Sequence, residues 1–330
     1  MTESTPGIDG PVLVTGATGT VGGALVDRLL ADGIAVRALV RSPRRAVEVL
    51  PHEVELVEGD ITVPASLPVA LDGVATVVHG AGMPEQWAKD PEVFDRVNHL
   101  GTRNMVDDAL AADIATFVHV STIDVFAWSP GEPFAEHLDP NPKHTFYERS
   151  KQAADAYVTE RIADGLPARF ACPAGVFGPA PMLTAGANTL LRDLAAGKIP
   201  MLLPGGLPMV FNRDVADGIV RLAAAPVGTR AIFSDRYLTL QEIAELVAAT
   251  TGTAKVPRVL PRWVAHAVRS AGELVANRTG NAPLVASGEL TFLESHAVPD
   301  ATFARTELGW TTTPIEEALA TTLAWVADQA

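Results

Sequence analysis

The apolar run PVLVT (11–15) leads straight into TGATGTVGG, and helical spacing of apolar residues begins at Val21. Gly16, Gly19 and Gly22 follow the pattern G-x-x-G-x-x-G. Glycine permits the tight turn out of a strand and lets a pyrophosphate approach the backbone at a helix N-terminus. A glycine triplet alone is weak evidence, but a strand before it and a helix after it are the context a dinucleotide site requires. Gly16, Thr18, Gly19, Thr20, Val21 and Gly22 are its candidate lining. A Gly-rich turn without a ligand is the plain alternative.

The strand-then-helix pattern repeats. IAVRALV (34–40), VELVEG (54–59), ATVVHG (75–80), TFVHVS (116–121) and ARFACP (168–173) read as further strands. Helices are expected near 91–111 and 147–162. Strands apolar throughout and separated by helices imply an α/β fold, a doubly wound parallel sheet of the Rossmann kind covered on both faces. Beyond Pro173 the order weakens into GVFGPAP and LLPGGLP around a helix near 187–197, then RDVADGIVRLAAA (213–225) returns to helical spacing. The expected division is a nucleotide domain of 1–178 plus 209–237, and a smaller, mainly helical substrate lobe of 179–208 and 238–330. Trp263 to Ala276 reads as an amphipathic helix.

Composition narrows the class. The net charge of −14 and pI near 5.0 oppose nucleic acid or anionic lipid as a partner. One cysteine, Cys172, excludes an internal disulfide and suits a reducing, cytoplasmic setting. MTESTPGIDGP lacks the basic and apolar regions of a signal peptide, and no apolar stretch is long enough for a transmembrane helix. No metal-ligating pattern stands out.

The end of the second strand bears on which dinucleotide is held. An NAD site commonly has Asp or Glu there, on the ribose hydroxyls. Here the sequence is VRALVRSPRR, with Arg41 just past the strand and Arg44 and Arg45 behind it. A guanidinium grips a 2′-phosphate that a carboxylate would repel, so NADP(H) is expected before NAD(H). A solvated arginine face is the other reading. Asp60 and Ile61 follow the third strand, where the Asp60 carboxylate could accept from the adenine amino group. Gly80, Ala81 and Gly82 end the fourth strand with the small residues a passing cofactor needs. His79 before them reads as a buried strand residue. Asn98, on a helix, could order the site by hydrogen bonds or hold a water.

YERSK (147–151) puts Tyr147 one helical turn ahead of Lys151, in a chain with three tyrosines. The spacing alone decides nothing. Together with TGATGTVG, GDIT, VNHLGT, HVST, PAGVFGP, FNRDVADGIVRL and ARTELGWTTTPIEEAL, however, it resembles the extended short-chain dehydrogenase/reductase family. The likeness is dense over 11–179 and moderate over 208–225. It implies that Tyr147 is the general acid or base at the substrate oxygen. It implies that Lys151 lowers the tyrosine pKa and bonds the nicotinamide ribose. The family hydroxyl 25 residues before the tyrosine falls on Thr122, with Ser121 beside it as the alternative. Pro173 and Val176 match positions that pack on the nicotinamide, and Cys172 reads as a packing residue. Helices near 91–111 and 146–162 of such proteins often pair in a homodimer, and Ala153, Ala154 and Ala156 would allow close approach.

The pocket segments MPEQW (83–87), DVFAW (124–128) and FGPAPML (177–183) are apolar and aromatic, with Met83, Trp87, Asp124, Phe126 and Phe177 as candidate substrate contacts. Sugar-nucleotide members of the family carry an arginine before the late strand-to-helix segment; Met209 and Val210 stand there instead, and Arg213 has no direction readable from sequence. The expectation is an NADP-dependent reductase of a lipophilic ketone or aldehyde, similar to dihydroflavonol reductases and 3β-hydroxysteroid dehydrogenases. The alternatives are an NAD-using nucleotide-sugar epimerase or dehydratase, and a cofactor-binding regulator without chemistry.

Overall fold

Seven parallel strands form the main sheet: β1 Val12–Thr15, β2 Val36–Val40, β3 Glu55–Glu58, β4 Thr76–His79, β5 Thr116–Val120, β6 Ala168–Pro173 and β7 Arg230–Phe233. Their spatial order is β3-β2-β1-β4-β5-β6-β7. The computed structural model describes residues 8, 10–85, 87–182, 186–252, 255–279 and 287–329. β1 pairs with β2 on one side and β4 on the other, so the strand order reverses beside it. Doubly wound sheets bind ligands at that crevice, beyond the carboxyl ends of the strands. β1 and β4 are buried along their whole length, which explains why they read as unbroken apolar runs.

Helix α1 (Thr20–Ala31) packs chiefly on α4 (Asn212–Ala223). On the other side of the chain's first half lies the helical run Glu92–Phe94, Asp95–Leu100 and α2 (Gly101–Ala111). Its middle piece is π-wound and carries Asn98. Single-turn π segments are frequent at functional sites, because the wider turn re-aims its groups. Helix α3 (Phe146–Ile162) packs against this run. A capping box begins it: the Thr145 hydroxyl accepts from the Glu148 N–H at 3.0 Å, and the Glu148 carboxylate accepts from the Thr145 N–H at 2.8 Å. That cap sets the start of the turn on which Tyr147 sits.

A second apolar core lies around Leu191, Leu202, Met209, Ile243 and Leu319. It is covered by helices Ala187–Ala195, Leu240–Thr251 and Ile315–Asp328 and by a three-stranded sheet of Gly175–Phe177, Gly206–Phe211 and Arg236–Thr239. Helix Arg262–Thr279 spans the amphipathic segment seen in the sequence. The C-terminal stretch is tied back by Asp214, whose carboxylate accepts from the Thr313 N–H at 2.8 Å and hydroxyl at 2.7 Å, while the Trp310 indole donates to its carbonyl at 2.7 Å.

β7 and the small sheet are not evident in the sequence. RAIF is four residues long, and GLPMVF carries the Gly and Pro that argue against a strand. One expectation about α3 is corrected. Ala154 is fully buried within the chain, whereas Ala156 faces outward. Among the described residues no helix is long and apolar enough to cross a membrane.

Candidate active site

The glycine loop closes on itself. Gly16 has φ of +76°, a left-handed conformation, and a Cβ there would strike the Gly80 carbonyl. A Cβ on Gly22 would collide with the Gly16 carbonyl. The loop therefore needs glycine to form at all. Gly19 caps α1 without a side chain, and the first turn contains no acid, so nothing of negative charge opposes an anion at that helix end. Thr18, Thr20 and Val21 are half-buried around it.

Beyond β2, Arg41, Arg44 and Arg45 are exposed. Among the described residues none of the three joins an ion pair. Asp60 is partly engaged: one carboxylate oxygen accepts from the Thr62 N–H and hydroxyl, each at 2.8 Å. Ile61 is buried, and its carbonyl accepts from Asn104 at 2.8 Å.

The ends of β1 and β4 are joined by a buried chain of hydrogen bonds. The Thr102 hydroxyl donates to the Asn98 carbonyl at 2.6 Å, which leaves its oxygen to accept from His79 Nε2 at 3.0 Å. His79 Nδ1 then accepts from the Thr15 hydroxyl at 2.8 Å, and Thr15 accepts from the Ala81 N–H at 3.0 Å. Burial, with Lys151 nearby, pushes the His79 pKa down to about 3, so the ring is neutral. Its place is structural: it fixes the turn where Gly80, Ala81 and Gly82 run past the sheet. Asn98 holds the next residue, accepting from the Met83 N–H at 2.7 Å and donating to its carbonyl at 3.2 Å. The same amide donates to Ser150 on α3 at 3.0 Å.

Tyr147, Thr122 and Asp124 converge at the end of β5. The Thr122 hydroxyl lies near the Tyr147 phenol and donates to Asp124 Oδ2 at 3.0 Å. Lys151 is buried, and its Nζ donates to the Val120 carbonyl at 2.8 Å. Burial lowers the Lys151 pKa to about 8, against the pull of Asp155, Cys172 and Asp124. The Tyr147 phenol is shifted upward, by burial first and then by the Asp124, Glu148 and Glu85 carboxylates. That direction is opposite to the lowering expected from Lys151, because burial, and after it three nearby acids, disfavour the phenolate. Ser121 lies elsewhere: its hydroxyl donates to Asp155 at 2.7 Å, on the buried side of α3. Thr122 is thus the hydroxyl beside Tyr147.

Of the expected pocket residues, Met83, Trp87 and Asp124 are half-buried near the strand ends. Phe126 and Phe177 are not pocket residues. Both are fully buried, Phe126 in the main core and Phe177 in the second core against Phe211. Their side of the chain is set by strand pairing and loop path, which sequence does not display. Gln86 and Leu183, within the expected pocket segments, lie outside the described residues. Pro173 is buried at the end of β6 and Val176 half-buried in the next strand. Cys172 is buried, with burial pushing its thiol up, as a packing residue requires.

Arg213 stands over Phe211, 5.8 Å from the ring centre to its guanidinium carbon, with Asp27 of α1 in electrostatic reach. Two residues that sequence reasoning passed over hold the site from behind. Asn212 donates to the Thr20 carbonyl at 3.0 Å and the Pro179 carbonyl at 2.6 Å, fastening the glycine loop to the second core. Asp155 pairs with Arg230. An acid one turn beyond Lys151 on the same face was the legible signal for Asp155.

The free helix end, the glycine turns and the cation cluster fit a dinucleotide laid across the strand ends. Comparison with known proteins agrees. The sequence pattern of the NAD dependent epimerase/dehydratase family matches residues 12–233. Sterol demethylase protein B of Methylococcus capsulatus is 28% identical over 323 residues, covering 96% of this chain and 98% of the relative. A protein of Synechocystis provisionally named dihydroflavonol 4-reductase is 27% identical over 320 residues, covering 94% and 93%. The crystal structure of gox2253 superposes with a TM-score of 0.85 at 27% identity, covering 98% of this chain and 99% of that one.

Proposed function

The chain belongs to the NAD dependent epimerase/dehydratase family, and within it we propose an NADP(H)-dependent oxidoreductase that reduces a ketone or aldehyde of a lipophilic small molecule, or oxidises the matching alcohol. The exposed cluster of Arg41, Arg44 and Arg45, unpaired among the described residues, carries this reading, in a chain of net charge −14. A doubly charged 2′-phosphate is the ligand such a cluster suits. When bound, the dinucleotide supplies or accepts hydride at the substrate carbon. Tyr147 moves the proton at the substrate oxygen, and Thr122 bonds the same oxygen. Lys151, charged below about pH 8, holds the ribose and sets the field at the phenol. Asn98 keeps the loop at Met83 in register with α3.

Two further observations support a lipophilic substrate. Met209 and Val210 are fully buried where a sugar-diphosphate site needs a cation, and Arg213 is directed at Phe211 and Asp27. The half-buried Met83 and Trp87 offer apolar surface. The family's description also embraces epimerases and dehydratases, so the deciding experiment compares both. Cofactor oxidation is followed with steroid and aryl ketones, and epimerisation with UDP-glucose. NADPH-linked ketone turnover is the expected result. UDP-glucose turnover with NAD, and none of any ketone, would replace this reading.

A further inference from the structure

We propose that the face formed by the strands Met201–Leu202 and Arg258–Val259 and the start of helix Arg262–Thr279 seats the protein on a membrane surface that carries anionic lipid. The proposal goes beyond the reaction assigned above and needs no part of it. The fold sets these pieces side by side. The two strands pair in parallel, with Arg258 opposite Met201, and the Leu260 N–H donates to the Leu202 carbonyl at 2.8 Å. The helix begins directly after. Its inner side is fixed by Ala265, which is buried with Leu290, with Leu203 and Val268 packed on them. Its outer side, at Trp263, His266, Ala267 and Ser270, is open.

Trp263 is 75% exposed, more than any other large apolar side chain among the described residues, and Met201 and Val259 beside it are 42% and 38% exposed. An indole has apolar area to bury and one N–H to keep wet. The headgroup level of a bilayer satisfies both at once. No helix among the described residues can cross a membrane, so the contact lies on the surface.

Charge selects the kind of membrane. The whole chain carries −14, which opposes anionic lipid, but that charge is unevenly spread. From Leu246 to Gly272 the sequence has Lys255, Arg258, Arg262 and Arg269 and no acid. From Leu194 to Arg213 it has Lys198 and Arg213 and no acid. Lys198, Lys255 and Arg258 are exposed and join no ion pair among the described residues. Arg262 and His266 approach Glu294 at 3.7 and 3.2 Å, the one acid paired with this face among the described residues. Charges more than about 10 Å away are screened at ordinary salt, so an approaching surface meets the local cations rather than the net charge. Exposed apolar side chains among cations are what an anionic interface takes up: the indole enters the headgroup layer and the lysines and arginines face the phosphates. A lipophilic substrate of the class proposed above concentrates in bilayers, so this seating places the protein at its supply.

The test is co-sedimentation of the full chain with vesicles of phosphatidylcholine alone, and of phosphatidylcholine mixed with phosphatidylglycerol. Wild type is expected to bind the mixed vesicles, less as salt rises, and the neutral ones little. Lys255→Gln and Arg258→Gln should each lower the partition constant roughly 5-fold. Brominated acyl chains should quench part of the tryptophan emission of the bound protein, and Trp263→Phe should lose that quenching while still binding. No sedimentation with the mixed vesicles at low salt overturns the proposal. So does equal binding to neutral vesicles, binding unchanged in the double variant Lys255→Gln, Arg258→Gln, or quenching that survives Trp263→Phe. Light scattering without lipid tests the other occupant: Trp263→Ala should keep the wild-type mass. A fall in mass would show that a second copy of the chain covers this face, and the membrane assignment would fail.

Discussion

Asp155 and Arg230 meet at 2.6 Å behind the helix that carries Tyr147 and Lys151, both nearly shut off from solvent. The approach is close without being aligned as a hydrogen bond. The second Asp155 oxygen accepts from Ser121, and the guanidinium carbon lies 3.7 Å from the centre of the Phe170 ring. The pair therefore joins α3 to β5, β6 and β7. Breaking a buried pair by removing one partner costs about 3–5 kcal/mol, because the remaining charge has no water. Arg230→Met is expected to lower thermal stability by several degrees, and the double variant Asp155→Leu, Arg230→Met to recover part of it. Calorimetry of the three proteins checks this. Recovery absent from the double variant would show that Arg230 acts through its stacking on Phe170 instead.

Tyr147→Phe should remove nearly all turnover while leaving cofactor affinity close to normal, since the ring still packs. General acid–base catalysis is worth about 10²–10⁴-fold. Retention of more than about a tenth of the rate would remove Tyr147 from that role.

Arg41→Ala should weaken NADPH by roughly 10- to 150-fold and barely change NADH, given about 1.5–3 kcal/mol per hydrogen bond to a charged group. Arg44 and Arg45 can share the phosphate and shrink the loss. Titration of wild type and variant with both dinucleotides, at low and high salt, checks it. Equal weakening of both would return the arginines to a solvated face.

Two buried histidines set an acid limit to stability. His79 has a folded pKa of about 3, and His119, buried with no hydrogen-bond partner on either ring nitrogen among the described residues, lies well below its ordinary value. The unfolded chain takes up protons at these rings below about pH 6.5, while the folded chain does not. Stability is therefore complete above that pH and falls as pH drops from about 6.5 toward 3, by up to about 1.4 kcal/mol per unit per histidine. Urea midpoints measured against pH should show the fall, and His79→Asn should flatten part of it.

Light scattering at micromolar protein is expected to report about twice the chain mass of 34.7 kDa. The expected pairing surface is the outward side of α3, where Ala156 is exposed and Ala153 half-buried. Ala156→Arg would then give the monomer mass.

How far the sequence could be read depended on where each fact is encoded. The first six strands and α1 and α3 are local: apolar runs, helical spacing and glycine turns mark them within about two residues, whereas the break of the 91–111 helix into a π segment before α2 is not marked. β7 escapes because four residues ending a short Pro-Gly connection carry no period. The placement of Phe126 and Phe177 escapes for a different reason. An aromatic beside a strand end can face cleft or core, and the choice depends on neighbours distant in sequence, such as Phe211. Tyr147 and Lys151 are visible as a spacing. Glu148 stands next to Tyr147 in the sequence, but the other acids near the phenol are not visible there, because Glu85 and Asp124 reach it only through the fold.

The glycine turn and the arginine cluster differ in what depends on them. Gly16 and Gly22 are wedged against backbone that cannot retreat, so altering them would damage folding before it altered binding. Arg41, Arg44 and Arg45 stand exposed to water and join no ion pair among the described residues. If these cations hold the 2′-phosphate as proposed, dinucleotide choice is detachable from foldability in this chain. A designer could exchange the three cations for acids and small polar residues, leave the scaffold at full strength, and retune the enzyme to a different redox pool.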